Sequence, residues 1–317
     1  MYETFYSFTS SPFLLPPDAK FFFGSEGHNR AIDHLRFGLA QAEGFIVITG
    51  DVGAGKTTLV ERLWSRLDHQ THAVARIVTT QLSGDDLFRL AMAGFGVDIT
   101  GGDKAAIILR FQDALRAYHD AGRRCVLIVD EAQNLSTTAL EELRMLSNFS
   151  GSGLASVQTI LLGQPEFRRM LASRELDQLR QRVIASFHLS PLGTSETQAY
   201  VLHRLTTAGW SGHPHIEPTA FDMVHKATGG VPRRINRLFS RVLLLGALEQ
   251  AQTITAAMVE QTTEELAHDL DGLTEPAHEL AVQDSPSLTT RVSALEHTVA
   301  RREDMLNRLS NLLAPRR

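Results

Sequence analysis

The nine residues from Gly50 to Thr58 constrain the fold of this chain more than any other segment. They read GDVGAGKTT and follow the apolar run 45–49, FIVIT. The pattern is G-x-x-x-x-G-K-S/T at the junction of a predicted strand and a predicted helix, where this spacing has physical meaning. Its glycines let the backbone curl so that several N–H groups point inward at an anion. The segment therefore predicts a phosphate-binding loop.

Each position of this loop has an expected task. Lys56 supplies a positive charge near the β- and γ-phosphates, and the Thr57 hydroxyl is placed to ligate Mg²⁺. The helix that begins near Lys56 turns its positive N-terminal end towards the same site. A glycine-rich turn that happens to contain lysine is disfavoured, because the strand context and the full spacing are both met. We expect a nucleoside triphosphate to be held by Gly50, Asp51, Val52, Gly53, Ala54, Gly55, Lys56, Thr57 and Thr58.

An acidic pair follows a second apolar run. Residues 125–129 read CVLIV and are followed by Asp130 and Glu131. A continuous apolar run fits a parallel strand covered on both faces, and ligands of open α/β sheets bind at the carboxyl ends of such strands. We expect Asp130 to hold Mg²⁺, usually through water, and Glu131 to orient and polarise the attacking water in phosphoryl transfer. Such a pair is a weak signal alone and a strong one downstream of a phosphate loop.

Three further polar positions are candidates, each with a simpler alternative. Gln164 follows the predicted strand 157–162 and could contact the γ-phosphate or the lytic water; an ordinary loop residue is an equal alternative. Arg182, with Arg180 as second choice, precedes the last predicted strand and could stabilise transition-state charge on a neighbouring subunit's nucleotide. Arg233 opens a helix and could reach the γ-phosphate. The alternative for each arginine is a solvated surface position.

Periodicity predicts the domain organisation. Over 25–192 strands alternate with helices, which predicts a doubly wound parallel α/β sheet. Over 193–266 the pattern contains helices only and predicts an all-helical lid domain. Residues 1–24 are rich in aromatic residues and broken by prolines. We expect an irregular strap whose rings dock onto the following domain; a ring from Phe21 to Phe23 could instead stack on adenine.

The C-terminal part has a different pattern. Residues 267–286 are polar and acidic and read as a linker. Over 287–314 apolar residues recur in alternating steps of four and three, which predicts an amphipathic, coiled-coil-like helix. Pairing with another copy or a partner, and packing back on its own domain, both stay open.

Composition excludes several classes of protein. The chain has 317 residues, 43% hydrophobic and 21% charged, as in soluble globular proteins. Its net charge of −5 gives no global attraction to nucleic acid, although a local basic patch stays open. The N-terminal residues do not include a basic segment followed by an apolar one, so the sequence does not predict a secretory signal. No run approaches the ~18 apolar residues of a membrane span. We expect a cytoplasmic protein, with peripheral attachment to the inner membrane as an alternative.

The motifs together carry a family resemblance. In order across residues 25–266 they are GDVGAGKT, LIVDEAQNL, LLGQPEF, LRQRV and GGVPRRINRL, and this set resembles the AAA+ ATPases. The opening YETFYSFTSSPFLLPPDAKFFF, followed by GFIVITGDVGAGKTTLVERL and VDEAQNLS, looks like the ExeA/GspA-type secretion ATPases. The likeness is greatest to the shorter ATPases of XrtA/PEP-CTERM (exosortase) exopolysaccharide loci. The longer members carry a membrane span and a peptidoglycan-binding domain, and neither is visible in this sequence.

The resemblance implies a homo-oligomer that hydrolyses ATP with Mg²⁺ and acts with proteins of envelope secretion or export. The same core is also similar to TniB/MuB-like transposition helper ATPases, which bind DNA; the acidic charge balance speaks against that alternative. Carried over by position, the resemblance supports the roles given above for Lys56, Thr57, Asp130 and Glu131. It implies that Gln164 is the first sensor, although many members carry Asn there, and that Arg233 is the second sensor. It also implies that Arg182 is an arginine finger that acts on a neighbouring copy.

Overall fold

The computed structural model of the chain describes residues 2–16, 18–65, 70–78, 82–101, 103–149 and 155–271. The described residues up to Ala267 form one compact unit, and His268–Asp271 belong to a second. Except for residues 267–271, the predicted linker 267–286 and the predicted helix 287–314 lie outside the described residues and stay predictions.

A five-stranded parallel sheet forms the centre of the compact unit. Its strand order is β2-β3-β4-β1-β5, and all neighbours are parallel. Every residue of β1 and of β4 is buried, as expected for strands covered on both faces. The strands predicted from the runs 45–49, 125–129 and 157–162 are confirmed to within one residue at either end. The strands are β1 (Phe45–Gly50), β2 (His72–Val78), β3 (Arg124–Asp130), β4 (Val157–Gly163) and β5 (Val183–Leu189).

Helices cover the sheet and continue into the C-terminal part of the unit. Among the described residues, three serines cap the N-termini of α-helices with their side chains, and the Ser136 hydroxyl accepts from the Ala139 N–H. In chain order the helices are α1 (Tyr2–Phe5), α2 (Glu26–Gln41), α3 (Lys56–Trp64), α4 (Gly84–Gly94), α5 (Lys104–Asp120), α6 (Thr137–Leu146), α7 (Pro165–Leu171), α8 (Asp177–Arg180), α9 (Thr194–Thr207), α10 (Pro218–Thr228), α11 (Pro232–Leu248) and α12 (Ala256–Asp271).

Alternate residues of β1 enter two separate apolar layers. Phe45 and Val47 pack with α4–α8, whereas Ile46 and Ile48 pack with α2 and α3 on the opposite face. The period of two therefore places successive side chains in different cores. The doubly wound α/β fold predicted from the sequence is confirmed. Cys125 is buried in the first of these layers.

The domain after β5 is helical with one exception. Helices α9–α12 are joined by a parallel pair of two-residue strands, β6 (His215–Ile216) and β7 (Thr253–Ile254). The expectation of helices only was wrong in this detail, because two residues are too few to show a period-two pattern. Among the described residues, no helix combines the length and the hydropathy needed to cross a bilayer.

The N-terminal strap docks on the helical domain. Five of its rings share a buried cluster with α9–α11, and the rings of Phe13 and Phe239 lie 5.0 Å apart. The expectation that these rings dock onto the α/β domain is therefore wrong for most of them. The exception is Phe22, which packs against the layer formed by α2 and α3. The five rings in the helical core are Tyr2, Tyr6, Phe8, Phe13 and Phe21.

Candidate nucleotide site

The phosphate loop lies between two helices that force glycine at two of its positions. Gly53 and Gly55 have φ of +83° and +97°, a region that glycine enters without steric cost. A Cβ at Gly53 would collide with the Cβ of Arg233 on α11, and one at Gly55 would lie 2.8 Å from Nε2 of His28 on α2. The loop therefore requires glycine both for its backbone conformation and for the close approach of its neighbours.

Lys56 is held inside the loop at the start of α3. Its Nζ donates to the carbonyl oxygens of Gly50 at 2.7 Å and of Asp51 at 3.0 Å. Burial lowers the pKa of Lys56, and the charges of Glu131, Asp130 and Asp51 oppose that shift. A buried cation at a helix N-terminus, inside a ring of backbone groups, is suited to bind phosphate oxygens.

Thr57 and Asp130 meet at the carboxyl end of β3. The Thr57 hydroxyl donates to Oδ2 of Asp130 at 2.7 Å, and the Asp130 side chain is buried. A hydroxyl and a carboxylate are the hard oxygen donors that Mg²⁺ binds in sites shared with phosphates and water. Among the described residues, no group of three His, Cys, Asp or Glu side chains could hold a metal alone. The donor set therefore fits Mg²⁺ held jointly by protein and nucleotide.

Glu131 carries the carboxylate next to this pair. Its Oε2 accepts from Nε2 of Gln133 at 2.5 Å and from Nε2 of Gln164 at 3.1 Å. Burial raises the pKa of Glu131, but these two hydrogen bonds and the charge of Lys56 outweigh burial, and the pKa lies below its ordinary value. Glu131 is therefore ionised at neutral pH and is held in a fixed position.

A cavity of about 350 Å³ opens over the loop. Its volume falls in the range of small-molecule sites. One wall consists of loop residues and Glu131, and the opposite wall of the strap and the helical domain. The strap side includes Phe21, Phe22 and Phe23, the rings for which the sequence left adenine stacking open. Adenine stacking on these rings remains a prediction.

Arg204 fixes the strap side of the cavity and is a residue that sequence reasoning missed. Its side chain is 7% exposed and lines the cavity. Its Nε donates to the carbonyl of Pro12 at 2.5 Å, and its Nη1 donates to the Tyr200 hydroxyl at 3.1 Å. The Phe21 ring lies 5.0 Å from the guanidinium carbon. The only sequence cue is a Tyr–Arg pair four residues apart on one face of a predicted helix.

His28 lies beneath the loop and was also missed. It is 6% exposed, its Nδ1 lies 2.7 Å from the Ser25 hydroxyl, and it hydrogen-bonds to the backbone of Ala54. Burial lowers the pKa of His28, whereas the Ala54 contact and the charge of Glu196 raise it by less. The imidazole therefore packs as a neutral group between α2 and the loop. A lone histidine near a predicted helix start gave no signal of this.

The structure brings one of the three candidate arginines to the loop. The backbone N–H of Arg233 donates to the Gly53 carbonyl at 3.2 Å, and its side chain lines the cavity. Arg182 instead precedes β5. The first residue of β5 pairs with the first residue of β1, so Arg182 lies at the amino ends of these strands, opposite the loop. Arg182 donates to the Ser147 hydroxyl at 3.1 Å, and Arg180 pairs with Asp177 at 2.7 Å. Neither Arg180 nor Arg182 belongs to the site of its own chain.

The parallel sheet, the phosphate loop and the helical domain together define the fold of the AAA+ P-loop ATPases. Residues 39–171 match a family model described as AAA domain. The fold is similar to that of CDC6P from Pyrobaculum aerophilum (TM-score 0.62, 15% identity, 83% of this chain and 70% of that one). It is also similar to the ADP form of the ORC2 protein of Aeropyrum pernix (0.59, 16%, 86% and 73%) and to the RuvB branch migration motor of Thermotoga maritima (0.55, 23%, 83% and 76%). At these identities the likeness establishes the fold alone.

One curated relative is similar in sequence. The chain is 38% identical over 246 residues to General secretion pathway protein A of Aeromonas hydrophila, a match that covers 77% of this chain. It covers 44% of that protein, so the chain spans less than half of its relative's length. Residues 39–171 are thus similar to AAA domains, and the longer match makes the chain similar to part of General secretion pathway protein A.

Proposed function

We propose that this chain binds ATP with Mg²⁺ between the α/β sheet and the helical domain and hydrolyses it. The observation that carries the proposal is the 2.7 Å hydrogen bond between Thr57 and Asp130. It joins the phosphate loop to the acidic end of β3, next to Lys56 and Glu131. Positive charge, metal-binding oxygens and a carboxylate base are the groups that phosphoryl transfer to water requires.

Each residue has a separate task in this proposal. Lys56 neutralises charge on the β- and γ-phosphates, and Thr57 and Asp130 hold the metal. Bound Mg²⁺ would neutralise charge that develops on the phosphate oxygens. Glu131 orients and polarises the attacking water, with Gln164 beside it as first sensor. Arg233, on α11 against Gly53, couples the helical domain to the γ-phosphate as second sensor.

A second copy of the chain completes the site. Arg182 and the loop lie at opposite ends of β5 and β1, about 20 Å apart at ~3.3 Å per residue. An arginine side chain cannot span that distance within one chain. We therefore assign Arg182 to the nucleotide of a neighbouring subunit, with Arg180 as the alternative, and activity should require a homo-oligomer.

The cellular role follows from the sequence relationships. The identity to General secretion pathway protein A and the motif resemblance favour a motor or switch that acts with an envelope secretion system. Within that class we propose an exopolysaccharide-export system of the PEP-CTERM/exosortase kind. The proposed location is the cytoplasm, with peripheral attachment at the inner membrane as the alternative.

Phosphate release from MgATP by the full chain tests the enzymatic part. We expect Lys56→Ala to abolish ATP binding by calorimetry, whereas Lys226→Ala, an exposed lysine on α10, leaves it intact. Glu131→Gln should retain ATP binding and reduce hydrolysis to a small residual rate. The rate per subunit should fall on dilution and on Arg182→Ala. Unchanged binding in Lys56→Ala, or a rate that stays flat down to the monomer, would overturn the respective assignment.

A gel shift separates this role from the DNA-binding alternative. Binding of duplex DNA at micromolar protein with ATP, weakened steeply by salt, would favour a transposition helper. Its absence under conditions in which ATP is hydrolysed would support the export role.

A further inference from the structure

Gln133 connects the proposed catalytic base to the neighbouring strand end. It lies in the short turn 132–134 that follows Glu131 and is partly buried. Its Nε2 donates to Oε2 of Glu131 at 2.5 Å, and its Oε1 accepts from the backbone N–H of Gln164 at 3.0 Å. A side-chain amide has one donor end and one acceptor end, and both are used here. The orientation of this amide is therefore fixed by its two partners.

Gln164 closes the same network from the other side. It directly follows β4 and donates its own side-chain amide to the same Oε2 of Glu131 at 3.1 Å. Glu131 directly follows β3, which neighbours β4 in the sheet. The carboxylate is thus bridged to the end of the adjacent strand by two side-chain amides, and the Gln133 amide also accepts from the backbone N–H of Gln164.

Gln133 acts at one remove from the nucleotide. Glu131 lines the cavity over the loop, whereas Gln133 is not among the described residues that line it. Glu131 has a left-handed backbone (φ +52°), and its flexible side chain has no fixed orientation without partners. Hydrogen bonds to an ionised acceptor are the strong ones, so the two amides decide where the carboxylate lies.

We propose that Gln133 is a positioning residue for ATP hydrolysis, which holds the Glu131 carboxylate towards the attacking water and ties it to the end of β4. The inference rests on the proposed ATPase function. A base displaced by about 1 Å loses about 100-fold in rate, so loss of the Gln133 amide should lower kcat by about 10-fold to 100-fold. The dissociation constant for MgATP should stay within about twofold, because Gln133 does not reach the cavity.

Three variants of the full chain test this. Gln133→Leu keeps the approximate volume and removes both hydrogen bonds, and it should lower kcat at unchanged ATP affinity. Gln133→Glu keeps the acceptor for the Gln164 N–H but places a carboxylate against Glu131, and it should lower kcat more than Gln133→Leu does. A merely structural role predicts the opposite order, because a polar side chain of nearly identical shape is then the milder change. Asn134→Ala, an exposed neighbour in the same turn, is the matched control and should behave as wild type.

A double-mutant comparison separates a positioning role of Gln133 from a merely structural one. In a Glu131→Gln background, Gln133→Leu should remove nothing further from the residual rate, since Gln133 acts through Glu131. Wild-type chain that does not hydrolyse MgATP would overturn the proposed function itself. Active wild type together with full kcat in Gln133→Leu would overturn this inference alone. If Gln133→Leu does not fold, as judged by lost ATP binding, Gln133→Ala takes its place. A kcat of Gln133→Glu below that of Gln133→Ala then supports the inference, and the opposite order overturns it.

Discussion

Replacement of Arg204 by methionine is expected to loosen the strap from the helical domain. Methionine fills the space of the side-chain stem but cannot donate to Pro12, Leu14 or Tyr200. The guanidinium makes two hydrogen bonds of 2.5 and 3.1 Å to the first and last of these, and a long one of 3.4 Å to Leu14. It also lies within 5.9 Å of the Phe13 ring.

The expected magnitude follows from these contacts. A hydrogen bond to a charged group contributes about 1.5–3 kcal/mol, and a cation–π contact about 0.5–2 kcal/mol. The desolvation of a buried guanidinium offsets part of that gain. Pro12 is buried and its carbonyl would lose its partner, whereas Leu14 is exposed and water can replace the donor. We expect the free energy of unfolding to fall by about 2–4 kcal/mol.

Urea denaturation of the full chain with and without MgATP measures this effect. Arg237→Met, an exposed arginine on α11, is the matched control and should change stability by less than about 0.5 kcal/mol. ATP affinity should also fall in Arg204→Met, because the strap forms one wall of the cavity. An Arg204→Met chain as stable as Arg237→Met, with unchanged ATP affinity, would refute the argument that this side chain holds the wall in place.

Two further predictions concern Gly55 in the loop and His28 beneath it. Gly55→Ala should cost more stability than Gly122→Ala, by about 1–3 kcal/mol, and should weaken ATP binding: both glycines have positive φ, but only at Gly55 would the new Cβ meet a neighbour, His28. Equal losses in urea would exclude the His28 contact as a constraint. Because burial lowers the pKa of His28, the unfolded chain binds this proton first, and the stability it contributes is complete above about pH 6.5 and lost as pH falls towards its folded pKa. Urea titrations from pH 7.5 to 5 should show wild type losing more stability than His28→Gln, and parallel losses would contradict this.

The α/β layer was predictable because its signals are local. Each strand is a short apolar run followed by a turn or a polar end, and the phosphate loop carries its own pattern of glycines and lysine. The parallel arrangement follows from the alternation of strands and helices along the chain, because a helix between two strands is long enough to carry the chain back to the end of the sheet where the previous strand began. These features need no information about which distant segments meet, and the bounds predicted from the runs 45–49, 125–129 and 157–162 accordingly agree to within one residue.

The parts that sequence reasoning missed depend on distant contacts. Arg204 donates to Pro12, 192 positions away, and nothing near either residue announces that pairing. The sequence predicts that the strap rings dock onto the domain that follows them in the chain, and nothing in the local pattern points to the helical domain instead. In the structure five of these rings instead belong to the apolar core of the helical domain, where they cover residues of α9–α11.

The packing of the strap on the helical domain also determines where the cavity lies. The strap belongs by packing to the helical domain, although it precedes the sheet in sequence, so the cavity is formed where these two parts face the loop. Two polar contacts join the helical domain to the α/β part: Glu196 on α9 accepts from the Glu26 N–H at the start of α2, and the Arg233 N–H donates to the Gly53 carbonyl. Both contacts end on segments that flank or form the phosphate loop. A ligand that displaces the loop backbone must therefore alter the contacts by which the helical domain and its strap are held to the sheet.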